Sequence, residues 1–316
     1  MSMSKAIALP ASLAEFLARR PGAEWRKIHA EASRRSFVRI RRGRGSLVAM
    51  VYPAPAPEDV RRFCALQEVY RRYGLRVPRI HEVLDDRVVL LEDLGDMLLQ
   101  RAWRGADRLQ RGRWLERCRE ILGRLAAVPQ ELAPARLDEA RRKWEMDFFL
   151  AHFSPRHPVR GVEAHALRSA LHLLAGAVHA EDTFAHRDFH SRNLLVRKRE
   201  IVMVDFQDSL VAPRFYDLVS LAFDSYLDLG AWPGRLFPNL AAWGDDGELR
   251  QLRLTALQRN VKALGTFAFQ MFERRHPAYA RYIPRTLRHI RGHLQVLADP
   301  QFEILTRYFE SVTRDA

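Results

Sequence analysis

The residue types best suited to chemistry are gathered in one short part of the chain. Residues 186–193 read HRDFHSRN and residues 205–208 read DFQD, with two apolar runs between them. Phosphoryl transfer from ATP requires a protein to orient a hydroxyl and to neutralise phosphate charge with Mg²⁺, with little covalent work of its own. One carboxylate and two oxygen ligands for a metal suffice for that task, and this stretch contains all three.

The spacing assigns these three roles. Asp188, five residues before Asn193, is expected to accept the proton of the acceptor hydroxyl as the catalytic base. Asn193 and Asp205 offer the hard oxygen atoms that suit Mg²⁺. The two apolar runs, residues 194–196 and 201–204, predict a hairpin that returns Asp205 toward Asn193. His186 is expected to brace the loop. Polar loop residues without catalytic function are the plain alternative, because H-x-D-x-x-x-x-N alone is a weak motif.

The surrounding elements fall into two blocks. Strand patterns cover residues 37–40, 46–52, 80–84 and 88–91, with one helix in residues 58–70, and helical periodicity dominates from about residue 107 onward. Strands followed by helices favour an α+β fold over an alternating parallel-sheet enzyme. The sequence has no G-x-x-x-x-G-K-[ST] motif and no glycine-rich fingerprint after a strand, so phosphate contacts must come from elsewhere.

Composition restricts the class of protein. The net charge is +14, mostly from scattered arginines, and such a field attracts anions of several kinds. No nucleic-acid-binding motif accompanies it, and we expect no nucleic-acid partner. The two cysteines, Cys64 and Cys118, lack the spacing of a zinc or redox site. With no leader-like start and no apolar run of membrane-spanning length, we expect a cytoplasmic protein.

The catalytic stretch resembles the catalytic loop and metal-binding aspartate of protein kinases, with Asp-Phe-Gln in place of Asp-Phe-Gly. Over roughly residues 30–295 the chain resembles the aminoglycoside-phosphotransferase-like kinases. Within them it is most similar to the cytoplasmic anomeric kinases of N-acetylmuramate and N-acetylglucosamine of bacterial cell-wall recycling. The other matching stretches are residues 77–81, 90–96, 216–226 and 257–267.

The resemblance implies a bilobal protein-kinase-like fold with a β-rich, nucleotide-covering N-lobe (1–93) and a helical C-lobe (94–316). It implies ATP as phosphoryl donor, Mg²⁺ as cofactor and a small amino sugar as acceptor. Glu92 and Leu94 match the segment whose backbone holds adenine. Asp217 matches an aspartate that supports the catalytic loop through backbone N–H groups.

Two departures concern the phosphates. Residues 30–33 read AEAS where relatives usually have Gly-Asp-Ala-Ser, and Met50 stands where many kinases of this fold place a strand lysine. We expect Ser33 and either Arg34 or Arg35 to contact the nucleotide, because a guanidinium can bind phosphate oxygens bidentately.

The sequence gives less information about the residues that bind the acceptor. Residues 144–149 combine aromatic rings and carboxylates, which suits a sugar but is also typical of a helix core. We expect Glu145 to bind substrate, together with residues close to the catalytic groups: His190, Arg192, Gln207 and Asp224. Arg192 is the candidate partner for a substrate carboxylate.

Three alternatives remain open. An aminoglycoside or choline-type aminoalcohol kinase would share the fold, although a cationic acceptor calls for an acidic site. An inactive pseudokinase would use the same fold as a binding module. A nucleic-acid binder would rely on the basic surface and lose affinity steeply with salt.

Overall fold

The structure is a computed structural model that describes residues 9–28, 35–179, 181–197, 200–236 and 246–314. The chain forms two compact units. One contains the residues up to Asp96 together with Val202–Gln207, and the other contains Met97–Ile201 and the residues from Asp208 onward. The first unit thus includes a short segment from the middle of the chain, and the lobe boundary at residues 93 and 94 stays a prediction.

The first unit contains a five-stranded antiparallel sheet. Its strands are β1 (Glu24–Ile28), β2 (Ser36–Arg42), β3 (Gly45–Val51), β4 (Ile80–Val83) and β5 (Val88–Glu92), in the order β1-β2-β3-β5-β4. Gly43, with φ of 56°, allows the tight reversal between β2 and β3. Sequence patterns missed β1 because it is an edge strand with almost every residue exposed.

Two helices, α1 (Ala11–Ala18) and α2 (Pro57–Arg72), belong to this unit. The apolar stripe of α2 is buried, as its helical spacing predicts. Phe206 packs its ring against Phe63 at 4.8 Å and Tyr70 at 5.2 Å between centroids. This aromatic contact explains why residues 202–207 group with the N-terminal strands.

The second unit is mainly helical. Its main apolar core is enclosed by α5 (Glu139–His152), α6 (Ala164–Ala177), α9 (Asp246–Phe272), α10 (Ile283–Leu297) and α11 (Glu303–Arg314). Gly265 of α9 permits a close crossing, since a Cβ there would meet the Phe149 Cα at 2.8 Å. Its other helices are α3 (Leu99–Gly105), α4 (Arg108–Ala126), α7 (Tyr216–Ala222) and α8 (Pro233–Leu236).

Four short strands interrupt these helices: β6 (Asp182–Ala185), β7 (Leu194–Arg197), β8 (Glu200–Met203) and β9 (Leu210–Pro213). The β7–β8 pair is the predicted hairpin, which is confirmed, and β6 pairs with β9. The predicted catalytic loop therefore lies between two strands. An antiparallel sheet in one unit and helices in the other confirm the α+β fold class. Within the described ranges, no helix is long and apolar enough to cross a membrane.

Candidate active site

The catalytic loop, residues 186–193, is anchored by Asp217 near the start of α7. The Asp217 carboxylate accepts hydrogen bonds from the backbone N–H of His186 at 2.5 Å and of Arg187 at 2.9 Å. Arg187 has φ of 76°, a left-handed conformation that costs energy for a residue with a side chain. Burial raises the pKa of Asp217 to about 7, and the two backbone N–H groups oppose that rise. These backbone contacts hold the strained turn in place.

Asp188 projects from this turn beside a cation. Its backbone carbonyl accepts hydrogen bonds from the His190 N–H at 2.9 Å and the Asn193 Nδ2 at 3.0 Å. Its carboxylate Oδ1 lies 3.4 Å from the Nζ of Lys262 on α9. Burial favours the neutral acid, but the positive charges of Lys262 and Arg187 outweigh it and hold the pKa of Asp188 well below its usual range. The carboxylate is therefore ionised at neutral pH.

Lys262 belongs to a polar run on α9 to which sequence reasoning gave no role. Gln258 donates from Nε2 to Glu145 Oε2 at 2.9 Å. Arg259 donates to the hydroxyl of Ser220 on α7. These polar residues lie within about one turn of a largely apolar helix segment. That pattern could have indicated a functional role from the sequence, because buried polar groups need partners. The partners prove to be the catalytic loop and the elements behind it.

Two carboxylates predicted to bind substrate have internal partners instead. Glu145 is 1% exposed and lies 3.5 Å from the Nη2 of Arg187, in addition to its bond from Gln258. Asp224 is also 1% exposed and accepts from the backbone N–H of Ser191 at 2.8 Å and of Tyr226 at 2.7 Å. Because both carboxylates are enclosed and bonded within the protein, we reassign them from substrate binding to support of the catalytic loop.

His190 and Arg192 share an aromatic neighbour. The His190 ring lies 4.8 Å from the ring of Tyr226, and the Arg192 guanidinium lies 4.9 Å above the same ring. Arg192 is also 5.9 Å from the rings of Tyr279 and Tyr282, a cation–π arrangement that holds the guanidinium beside the loop. Burial lowers the pKa of His190 to about 3, so its imidazole is neutral at neutral pH.

The two predicted metal ligands offer suitable oxygen atoms. The Nδ2 of Asn193 is engaged by the Asp188 carbonyl, which leaves Oδ1 as the atom that can face a cation. Asp205, with φ of 63°, accepts at Oδ1 from Arg35 Nη2 at 2.8 Å and from Gln207 Nε2 at 2.9 Å. Among the described residues there is no cluster of three His, Cys, Asp or Glu that could hold a metal. Each of the two side chains offers an oxygen atom of the kind that Mg²⁺ binds, and Mg²⁺ commonly keeps water and phosphate oxygens as its other ligands.

The Arg35 side chain lies beside Met50, the residue at the position where the resemblance leads us to expect a strand lysine. Its Nη1 is 3.4 Å from the sulfur of Met50 on β3, while its Nη2 bonds Asp205. The Arg35 side chain is 12% exposed and is therefore largely buried. The other two predicted phosphate contacts, Ser33 and Arg34, lie outside the described residues.

Ion pairs and burial hold the segment that is predicted to bind adenine. The Glu92 carboxylate pairs with Arg76 at 2.6 Å and Arg79 at 3.4 Å, and Leu94 is 7% exposed. The pKa of Glu92 is lowered: burial opposes the charged form, but these arginines outweigh it. The Glu92 side chain is thus engaged, and its backbone N–H donates to the Arg79 carbonyl at 2.9 Å. The contact of this segment with adenine stays a prediction.

The chain is similar in sequence to a known enzyme family. The profile of the phosphotransferase enzyme family matches residues 24–254. A Pseudomonas aeruginosa protein named N-acetylmuramate/N-acetylglucosamine kinase is 30% identical over 293 residues, covering 85% of this chain and 83% of that protein.

Solved structures share the fold. The ADP-bound aminoglycoside phosphotransferase APH(2″)-Ib superposes with a TM-score of 0.64 at 12% identity, covering 96% of this chain and 99% of that one. An ethanolamine kinase from Plasmodium vivax gives a TM-score of 0.60 at 12% identity, covering 89% and 84%. The family match contains the whole catalytic loop, Asp205 and Asp217. The chain therefore belongs to the phosphotransferase enzyme family.

Proposed function

We propose that this protein transfers the γ-phosphoryl group of ATP to the anomeric hydroxyl of N-acetylmuramate or N-acetylglucosamine, as in peptidoglycan recycling. The observation that carries the proposal is the placement of Asp188 beside the Lys262 ammonium, on a loop whose backbone N–H groups donate to Asp217 and Asp224. The P. aeruginosa relative supports the choice of acceptor through its name. The ADP-bound structural neighbour supports an adenine nucleotide as donor.

Asp188 acts on the acceptor hydroxyl. The hydroxyl donates a hydrogen bond to the carboxylate, which aims the oxygen at the γ-phosphorus. The new O–P bond forms as the bond between the γ-phosphorus and the β,γ-bridging oxygen breaks, and ADP carries away that electron pair. The hydroxyl proton passes to Asp188 and then to solvent. Because the pKa of Asp188 is low, proton transfer comes late: the carboxylate first orients the hydroxyl and then accepts its proton.

Asn193 and Asp205 would hold Mg²⁺ through their side-chain oxygens. The ion supplies charge neutralisation of the phosphates when it is bound. Arg35 would supply the positive charge that the strand residue Met50 lacks. Its guanidinium is already oriented by Asp205, and a planar fork of N–H donors suits phosphate oxygens.

The charges near Asp188 favour an acceptor that is neutral or anionic. Lys262, Arg187 and Arg259 all act on the Asp188 carboxylate, and Arg192 acts on the neighbouring His190. A polycationic acceptor would meet repulsion there. In our proposal Arg192 meets the carboxylate of the N-acetylmuramate lactyl group, while His190 contacts the sugar as a neutral donor or acceptor.

A panel of acceptors tests the proposal. Purified protein with Mg²⁺ and ATP is incubated separately with N-acetylmuramate, N-acetylglucosamine, kanamycin and choline, and products are followed by phosphorus NMR. We expect an anomeric sugar phosphate that appears in step with ADP. Phosphorylation of kanamycin or choline alone would refute the amino-sugar assignment, and a phosphate at another sugar hydroxyl would refute the anomeric one.

A further inference from the structure

We propose that Arg39 is a positioning residue that fixes residues 93–96 for contact with the base of the nucleotide. The inference rests on the proposed function and on the adenine contact predicted for this segment. Arg39 lies on β2 and is 2% exposed. Its guanidinium meets the carboxylates of Asp93 and Asp96, which follow the end of β5. Sequence patterns gave none of these three side chains a role.

Every nitrogen of the Arg39 guanidinium contacts a carboxylate oxygen. Nε lies 2.7 Å from Asp93 Oδ2, and Nη2 donates to Asp93 Oδ1 at 2.9 Å. Nη1 donates to Asp96 Oδ2 at 2.6 Å, and Nη2 donates to Asp96 Oδ1 at 2.8 Å. A buried cation is costly unless it is paired, and a planar fork of donors can hold two carboxylates at once. Arg39 therefore links both acidic residues to one point on the sheet.

Residues 93–96 depend on side chains for their backbone course, because the strand β5 ends at Glu92. Gly95, with φ of 79°, donates its backbone N–H to Asp93 Oδ1 at 3.0 Å. The Asp93 carboxylate also accepts from the hydroxyl of Ser46 on β3. The turn is thus tied to β3 through Ser46 and to β2 through Arg39.

The sheet places Arg39 on the face where we expect the phosphates. Its two neighbours along β2 lie in the apolar core on the other face. Val48 is opposite Arg39 in the register of β2 and β3, and Met50 is two positions along β3. Opposite residues, and residues two apart on a strand, share a face. Arg39 therefore shares a face with Met50, beside which lies Arg35, our candidate phosphate contact.

Asp96→Ala tests the inference without removing the buried arginine. Asp96 is 54% exposed, and the pairing of Arg39 with Asp93 remains in the variant. We expect the Kd for ATP to rise about 10-fold, because the base meets a displaced backbone, and the Kd for inorganic tripolyphosphate to stay unchanged. Loss of a negative charge would by itself strengthen the binding of an anion, so weaker ATP binding reports position and not charge.

The control is Asp59→Ala on α2. Asp59 is 55% exposed, close to the exposure of Asp96, and its carboxylate is 3.7 Å from Arg62 on the same helix. Its removal should leave the Kd for ATP at the wild-type value. Isothermal titration measures both ligands with Mg²⁺ and without acceptor, at a temperature where circular dichroism shows every variant folded. An unchanged Kd for ATP in Asp96→Ala would overturn the proposal, as would equal weakening of ATP and tripolyphosphate.

Arg39→Lys provides a second test of the same clamp. The lysine keeps the charge but cannot hold both carboxylates in a fork, so the Kd for ATP should rise as in Asp96→Ala. Wild-type ATP affinity in Arg39→Lys would contradict the role of the guanidinium. These affinities do not depend on the acceptor. If the acceptor panel yields no sugar phosphate, the proposed function fails, while a selective loss of ATP affinity still supports this inference.

Discussion

The Asp217 carboxylate accepts the backbone N–H of Arg187 at 2.9 Å, and Arg187 is held in a left-handed conformation immediately before Asp188. A buried carboxylate thus fixes the backbone next to Asp188, our proposed base, without a hydrogen bond to the Asp188 side chain. Such strain persists only where the surroundings compensate for it. The second bond, from His186, makes the arrangement bidentate across two successive residues.

Replacing Asp217 by alanine should free this turn. We expect kcat to fall about 100-fold or more, because Asp188 loses its orientation, while the KM for ATP changes little. The free energy of unfolding should drop by roughly 2 kcal/mol for the two unsatisfied backbone donors. Steady-state kinetics and urea denaturation measure the two effects. A variant that changes KM for ATP but not kcat would contradict a role in the catalytic loop.

Arg35→Met should weaken nucleotide use. Its guanidinium is our candidate for the phosphate contact beside Met50, so the KM for ATP should rise about 10-fold, with a smaller loss of kcat. The stabilisation by ATP in a thermal shift assay should shrink in parallel. Arg41→Met, at an exposed position on β2, is the control. Equal KM values for ATP in the two variants would remove Arg35 from the site.

Acid should destabilise the folded protein through His289. Burial lowers its pKa to about 4, with Arg285 and Arg288 lowering it further and Asp228 and the Asp224 backbone opposing them. The unfolded chain, with a histidine pKa near 6.5, binds the proton first, so stability falls as pH drops from about 6.5 toward 4. His289→Gln should flatten that decline by up to about 2 kcal/mol. Denaturation curves at several pH values measure the slope, and identical slopes would contradict this assignment.

Gly265→Ala should disturb the crossing of α5 and α9. The new Cβ would lie 2.8 Å from the Phe149 Cα and 3.0 Å from its backbone N, and backbone atoms cannot rotate away. We expect a loss of about 1–3 kcal/mol in the free energy of unfolding. Gly123→Ala on α4 is the matched control, because no atom lies within 4 Å of its new Cβ. It should stabilise the protein by about 0.5–1 kcal/mol. Equal effects at both sites would argue against the close crossing.

Sequence patterns predicted the elements that depend on residues close together in the chain. The apolar runs flanking residues 197–200 produced the hairpin, and the periodicity of residues 60–70 produced α2. The same patterns missed the roles that depend on packing between residues far apart in the chain. Glu145 and Asp224 lie near catalytic residues and carry suitable chemistry, yet burial against Arg187 and the Ser191 backbone gives them structural roles. The residues next to Glu145 and Asp224 in the sequence do not distinguish a substrate-binding carboxylate from a structural one.

Lys262 is the opposite case: the sequence assigned it no role, yet it lies beside Asp188. It is separated from Asp188 by 74 residues, and only the packing of α9 against the catalytic loop reveals that the two are neighbours. A lysine on a helix is usually a solvated charge, so its spacing alone carried no assignment. The unpredicted β6 and β9 are four-residue strands whose pairing depends on residues more than twenty positions apart.

Asp188→Asn is the most direct measurement of the central claim. Phosphorus NMR follows wild type and variant with Mg²⁺, ATP and N-acetylmuramate or N-acetylglucosamine, and a thermal shift assay confirms that both bind ATP. We expect the wild type to form the anomeric phosphate and the variant to form it about 100- to 10,000-fold more slowly, because an amide cannot accept the hydroxyl proton. Turnover by Asp188→Asn at the wild-type rate would contradict the assignment of Asp188 as the base.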